Sequence, residues 1–254
     1  DKALVEITGW SGGKNPEGQI RKIFGQAGEN ESEIHAILAE FDLPYDFDDI
    51  IKKEANHIPD KITAKEIGRR RDFRNTPTFT IDPADAKDFD DALSFRKLEN
   101  GLYEVGVHIA DVTHYVRPGS LLDQEAYERA TSVYLVDRVV PMLPERLSNG
   151  ICSLRPDEEK LCFSAVFQID GQAQVHDTWL GRTVIRSDRR FAYEDAQEVL
   201  ETGEGDMKDA LQVLNKLAKS LREQRFDSGA ISFERIEVKF NLDDNGAPLG
   251  VYFK

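Results

Sequence analysis

The sequence predicts an α+β fold: a β-rich mixed body with flanking helices, preceded by a partial small β-barrel segment. Three observations carry this. Short apolar runs bounded by turn residues recur from Phe79 to Phe240, with a hairpin signal at Asn100-Gly101. A helical stripe, Met207, Ala210, Leu211, Leu214, Leu217, Ala218 and Leu221, separates the last two runs of that body. The first residues hold only two strand-like runs, too few to bury a core by themselves.

Taken in order, Leu4-Val5-Glu6-Ile7-Thr8 and Gln19-Ile20-Arg21-Lys22-Ile23-Phe24 read as strands joined across Gly12-Gly13-Lys14-Asn15-Pro16. From Phe47 the period becomes helical, with Ile50, Ile51, Ala55 and Ile58 on one face and a stop at Pro59. Thr63-x-x-Glu66 has the capping-box spacing. The basic run Arg69-Arg70-Arg71 with Arg74 reads first as a solvated linker face and second as an RNA-backbone contact. Strands are expected at Phe79 to Ile81, Ala92 to Leu98, Leu102 to Ile109, Leu161 to Ile169, Val175 to Ile185, Ile231 to Phe240 and Leu249 to Phe253. Ser120 is placed to cap a helix running to about Ala130.

Composition sets the remaining bounds. Of 254 residues 40% are hydrophobic and 31% charged, enough apolar material for a packed core. Cys152 and Cys162 match no paired zinc-ligand spacing and read as reduced structural thiols. No secretory pattern opens the chain and no apolar run reaches membrane-spanning length, so a cytoplasmic location is expected. The net charge of −14 argues against a nucleic-acid binder unless the acid is concentrated at a metal site.

The stretch Thr80-Ile81-Asp82-Pro83-Ala84-Asp85-Ala86-Lys87-Asp88-Phe89-Asp90-Asp91-Ala92 concentrates that acid: five aspartates lie between positions 82 and 91. Asp82 ends an apolar strand, and the Pro-Ala-Asp-Ala loop can fold Asp88, Asp90 and Asp91 back toward it. Clustered carboxylates repel, and a hard divalent cation such as Mg²⁺ or Mn²⁺ removes the conflict. A solvated acidic turn is the bland alternative, but the interleaved Ile81, Phe89, Ala92 and Leu93 act as apolar anchors. An EF-hand loop is disfavoured, since no Asp start puts Gly sixth and Glu twelfth.

This stretch is similar to the metal-binding signature of the ribonuclease II and R family, and further blocks follow in order. They are Val107-His108-Ile109-Ala110-Asp111-Val112-Thr113-His114-Tyr115-Val116, Ser132-Val133-Tyr134-Leu135, Pro141-Met142-Leu143-Pro144 and Leu147-Ser148-Asn149-Gly150-Ile151-Cys152-Ser153-Leu154. The resemblance implies a partial cold-shock (OB-fold) domain at 1–45, a helical linker at 46–75 and the front part of a catalytic domain at 76–254. It implies 3′-to-5′ hydrolysis of single-stranded RNA to nucleoside 5′-monophosphates with Mg²⁺ or Mn²⁺, without an obligate protein partner. It makes Asp82, Asp88, Asp90 and Asp91 the catalytic and metal-binding residues, Asp85 a less certain fifth acid, and Tyr134 the aromatic that stacks near the RNA 3′ end.

Family members extend further, with an Arg-containing motif and an S1 domain, so this chain alone is expected to be weakly active or inactive. His108 and His114 read as structural. Arg182, Arg186, Arg189 and Arg190, with Phe191 and Tyr193, form either an RNA path or a solvated turn. Competing readings are a nonenzymatic RNA-binding module and a metal-dependent phosphatase or DNA nuclease.

Overall fold

A computed structural model describes residues 1–10, 15–44, 46–136, 138–233, 236, 238–243 and 248–253. In chain order the elements are β1 (Lys2–Gly9), β2 (Glu17–Gly25), α1 (Asn30–Glu40), α2 (Asp49–His57), α3 (Ala64–Ile67), β3 (Arg71–Asp72), β4 (Thr78–Asp82), β5 (Asp91–Lys97) and β6 (Tyr103–Ala110). Then come α4 (Val112–Tyr115), α5 (Leu121–Arg129), β7 (Val133–Tyr134), β8 (Val139–Val140), β9 (Glu159–Ile169), β10 (Val175–Arg186), β11 (Arg189–Ala192), α6 (Tyr193–Thr202), α7 (Lys208–Asp227), β12 (Val238–Leu242) and β13 (Pro248–Phe253). A π-helical turn occupies Arg146–Ile151. The α+β class expected from the sequence is the class observed. Among the described residues, no helix is long and apolar enough to cross a membrane.

The chain forms two packing units, interleaved in sequence: unit 1 is Asp1–Lys52, Gln124–Leu143 and Glu234–Lys254, and unit 2 is Lys53–Asp123 and Pro144–Phe233. Unit 1 holds three antiparallel pairs, β1 with β2, β7 with β8 and β12 with β13. The turn expected at Gly12-Gly13-Lys14 lies outside the described residues. Arg129 ties the unit together: its guanidinium donates to the carbonyls of Pro44, Asp46 and Pro141 and sits 3.6 Å from the Phe47 ring centre.

Unit 2 is built on one seven-stranded sheet, ordered β11-β4-β5-β6-β9-β10-β3. Its centre is antiparallel, while β11 on β4 and β3 on β10 are parallel edge pairs. The β5–β6 hairpin turns at Asn100-Gly101, where Gly101 takes the positive φ of 84° that a side chain disfavours. Because strand side chains alternate in direction, the sheet offers two different faces. One packs Phe79 and Phe191, edge-to-face at 5.8 Å, with Ala196 and Val199 of α6 and Ala210 and Leu211 of α7. The other carries a buried polar row in which the His108 imidazole bridges the Ser94 and Ser164 hydroxyls at 2.8 and 2.7 Å, and Ser164 meets Thr183 at 2.6 Å.

Several local expectations hold. Ser120 Oγ accepts from the Asp123 amide at the start of α5, and Thr63 Oγ1 accepts from the Glu66 amide at the start of α3. Others are corrected. The solvated reading of the arginine run holds for the exposed Arg69 but fails for Arg70, whose side chain is fully buried, donating to Glu66, Asp111 and the carbonyls of Cys162 and Thr183. Burial opposes ionisation of Asp111, but bonds from Thr113 and Arg70 outweigh it and hold the carboxyl low. Of the strand expected over Ile231 to Phe240, Val238 to Phe240 lie in β12, while Ile231 and Phe233 are exposed and outside any strand. On α7, Leu221 is exposed at the C-terminal end of a stripe whose buried members are Ala210, Leu211 and Leu217.

Candidate active site

The aspartates lie where β4 ends and β5 begins, both strands being set by their apolar face. Phe79 and Ile81 pack toward the helices, which turns Thr78, Thr80 and Asp82 to the opposite face. Asp82 is buried as the last residue of β4, Asp88 is half-buried, and Asp85, Asp90 and Asp91 are exposed.

The loop between them is pinned at successive points. Pro83 O accepts from the Ala86 amide at 3.0 Å, closing a tight turn. Arg190 Nη2 donates to Pro83 O at 2.6 Å and Ala84 O at 2.8 Å. The buried Ser153 hydroxyl donates to Lys87 O at 3.0 Å and accepts from the Phe89 amide at 3.1 Å. Phe89 O then accepts from Leu154 N at 2.8 Å, and Asp90 O from Ala110 N at 3.1 Å. A ten-residue acidic stretch is thereby held as a fixed backbone.

The electrostatics are those of crowded like charges. Burial first, and then repulsion from Asp91 and Asp88, pushes the Asp82 carboxyl upward, while the neighbouring Thr80 hydroxyl and, more weakly, Arg190 oppose the shift. Asp90 keeps solvent access, yet partial enclosure and the charges of Asp88, Asp91 and Asp82 also push it upward. Asp82 Oδ2 is buried without a hydrogen-bond partner. An unpartnered carboxylate oxygen among carboxylates suits a hard divalent cation, whose charge relieves the repulsion and fills the empty acceptor. Among the described residues, no three His, Cys, Asp or Glu side chains stand together as a ready-made metal cage. The four aspartates share a neighbourhood and feel one another's charge, as expected, but their oxygens are not drawn to one point.

The other sequence candidates fall in different places. Tyr134 belongs to unit 1, on the short strand β7, and is 66% exposed. His108 is wholly buried, and burial, followed by the Arg71 charge, pushes its imidazole down to about 4. The Cys152 thiol is pushed up by burial to about 12 and Cys162 is likewise raised, so neither supplies a thiolate at neutral pH. The basic patch divides by task. Arg182 lies 3.5 Å from Asp111, Arg189 lies over the Phe191 ring, Arg186 is exposed, and Arg190 grips the loop. Sequence reading missed Ser153 and Arg190 as loop anchors. Their contacts are to backbone atoms 66 and 107 residues away, a distance at which spacing carries no signal.

Fold and site together define a mixed-sheet domain that presents a carboxylate cluster suited to a divalent cation, on a backbone pinned from a neighbouring strand and loop. Comparison with known proteins identifies the family. The RNB domain family matches residues 70–253, and the chain belongs to that family. A cold shock domain family matches residues 1–48. The chain is similar to ribonuclease R of Thermotoga maritima, at 44% identity over 96% of this chain and 36% of that protein. It is also similar to ribonuclease R 1 of Lactococcus lactis, at 40% identity over 99% of this chain and 32% of that protein. Its fold matches the solved structure of Mycoplasma genitalium RNase R in complex with double-stranded RNA, with a TM-score of 0.91 and 26% identity, covering 99% of this chain and 46% of that one. The chain thus spans about a third of the length of these curated relatives.

Proposed function

We propose that this chain carries the aspartate half of a 3′-to-5′ exoribonuclease site that hydrolyses single-stranded RNA to nucleoside 5′-monophosphates. The observation that carries the reading is the buried, unpartnered Asp82 Oδ2, with Asp88, Asp90 and Asp91 close enough to be felt as charges, on a loop fixed at every second or third residue. The similarity to two ribonuclease R proteins supports the reaction class, and the RNA-bound M. genitalium RNase R supports an RNA substrate.

In this reading Asp82, Asp88, Asp90 and Asp91 would hold Mg²⁺ or Mn²⁺, with Asp82 and Asp91 the most direct ligands and Asp90 orienting the attacking water or terminal nucleotide. The bound cation would supply water activation and charge neutralisation at the scissile phosphate. Asp85 stands outside the set. Tyr134 would stack on a terminal base, an interaction indifferent to sequence and worth about 1–3 kcal/mol. We divide the chain functionally into a cold-shock end at 1–45, a linker at 46–75 and catalytic sequence at 76–254, in a cytoplasmic protein with no obligate protein partner.

Calorimetry with MnCl₂ tests the site: weak binding to the chain alone and firmer binding with a single-stranded RNA are expected, and both should be lost in Asp82→Asn. A folded chain that binds no Mn²⁺ with or without RNA overturns the reading. Reaction class is tested in a full-length relative with 3′-labelled RNA and matched DNA. Stepwise shortening of RNA alone is expected, and the substitution corresponding to Asp90→Asn should stop hydrolysis while RNA is still retained. Equal cleavage of DNA would favour a general metal-dependent nuclease.

A further inference from the structure

We infer that Arg190 is a positioning residue for the aspartate loop, a staple that joins the loop's two ends and holds the backbone that carries the carboxylates. The inference rests on the metal-site reading above and assigns that site a residue it lacked.

The strand register puts Arg190 in place. β11 runs parallel to β4, so Arg190 pairs with Thr80 and Ala192 with Asp82, and the side chain emerges beside the strand that delivers the first aspartate. From there one guanidinium nitrogen, Nη2, takes the consecutive carbonyls of Pro83 and Ala84 where the loop departs. The same group lies 5.5 Å from the ring centre of Phe89, where the loop returns toward β5. A single planar cation therefore touches both ends of the 83–89 segment. Arginine suits this task because its flat face can stack while its edge donates.

A second observation places Arg190 in the same enclosed polar spot as the first aspartate. Among the described residues four buried side-chain polar atoms lack a partner, and three of them, Thr80 Oγ1, Asp82 Oδ2 and Arg190 Nε, belong to this pair of strands. Arg190 is half-buried as a whole, but its Nε is shut off from water and unpartnered in the pose that keeps Nη2 on the two carbonyls. Its charge also opposes the mutual repulsion of the acids around Asp82. Arg189, from the same basic stretch, instead lies near Asp206 and over the Phe191 ring, and Arg186 is exposed, which distinguishes Arg190 from a generally basic surface.

The test compares Arg190→Gln with the unaltered 254-residue chain, using an Arg186→Gln control, by amide hydrogen exchange without metal and by Mn²⁺ titration. Losing a charge-assisted pair of bonds should speed exchange of the 84–89 amides about tenfold and weaken Mn²⁺ binding by about the same factor. Exchange in β9 and β10 should stay unchanged. Arg190→Lys, which keeps the charge but loses the planar stack, should recover the loop only in part, and it serves as the test variant if Arg190→Gln does not fold. Unchanged 84–89 exchange in a folded variant, or equal acceleration throughout unit 2, overturns the assignment. If the unaltered chain binds no Mn²⁺, the metal reading fails, and the exchange data still decide whether Arg190 holds the loop.

Discussion

Lowering the pH should strip stability from unit 2 through one residue, His108. Its ring is wholly buried between the Ser94 and Ser164 hydroxyls, with the Phe73 ring edge-on at 5.0 Å. A neutral imidazole can donate from one nitrogen and accept at the other, which suits two hydroxyls, whereas the cation is penalised by burial and by Arg71. The folded-state value is about 4 against 6.5 for a free imidazole. Because the folded value is depressed, the unfolded chain binds the extra proton first. The contribution is therefore complete above pH 6.5 and is lost as pH falls toward about 4. The difference corresponds to roughly 3 kcal/mol at full extent. Urea unfolding followed by Trp179 fluorescence, in a Trp10→Phe background, would compare the chain with His108→Gln across this window. Other titrations cancel in the difference, so the gap between the two should shrink by roughly 3 kcal/mol as pH falls. Parallel stability curves, or a ring that titrates near 6.5 by NMR, would refute the reasoning.

Three further outcomes follow from the packing of unit 2. Arg70→Met should cost about 3–5 kcal/mol in urea unfolding, because it leaves the Asp111 carboxylate buried without its main partner; a loss below about 1 kcal/mol would mean that Arg182 substitutes fully. Ser153→Ala removes a donor to Lys87 O and an acceptor for Phe89 N, and should cost about 1–3 kcal/mol. Amide exchange at Phe89 would report the loss directly, and an unchanged rate would show that Leu154 alone holds the loop. Gly106→Ala would bring a methyl within 2.4 Å of Ser94 Oγ and 2.6 Å of His108 Nε2, so about 1–3 kcal/mol of destabilisation is expected. A neutral result in thermal unfolding would show that the His108 row can shift aside.

Much of this molecule was legible in its sequence because the signals are local. Strand alternation, the Asn100-Gly101 turn, the Ser120 and Thr63 caps and most of the α7 stripe are short-range consequences of side-chain shape and backbone geometry, and they appear where expected. The aspartate cluster was legible for the same reason: its members lie within ten residues, bounded by strand-forming runs that force the loop between them. The arginine run shows where such reading ends. A charged triplet reads as hydrated because desolvating a guanidinium is costly. What offsets that cost for Arg70 lies 41, 92 and 113 residues away, in Asp111, Cys162 and Thr183. The same holds for Ser153 and Arg190, which grip the acidic loop from strands and turns remote in the chain. The sequence by itself determined which acids share one loop and which faces of the strands are apolar, since both are set by neighbours along the backbone. Only the tertiary structure decided which cation is buried and which side chains fix the acids in place, because those choices depend on hydrogen-bond acceptors that approach only when the seven strands are in register.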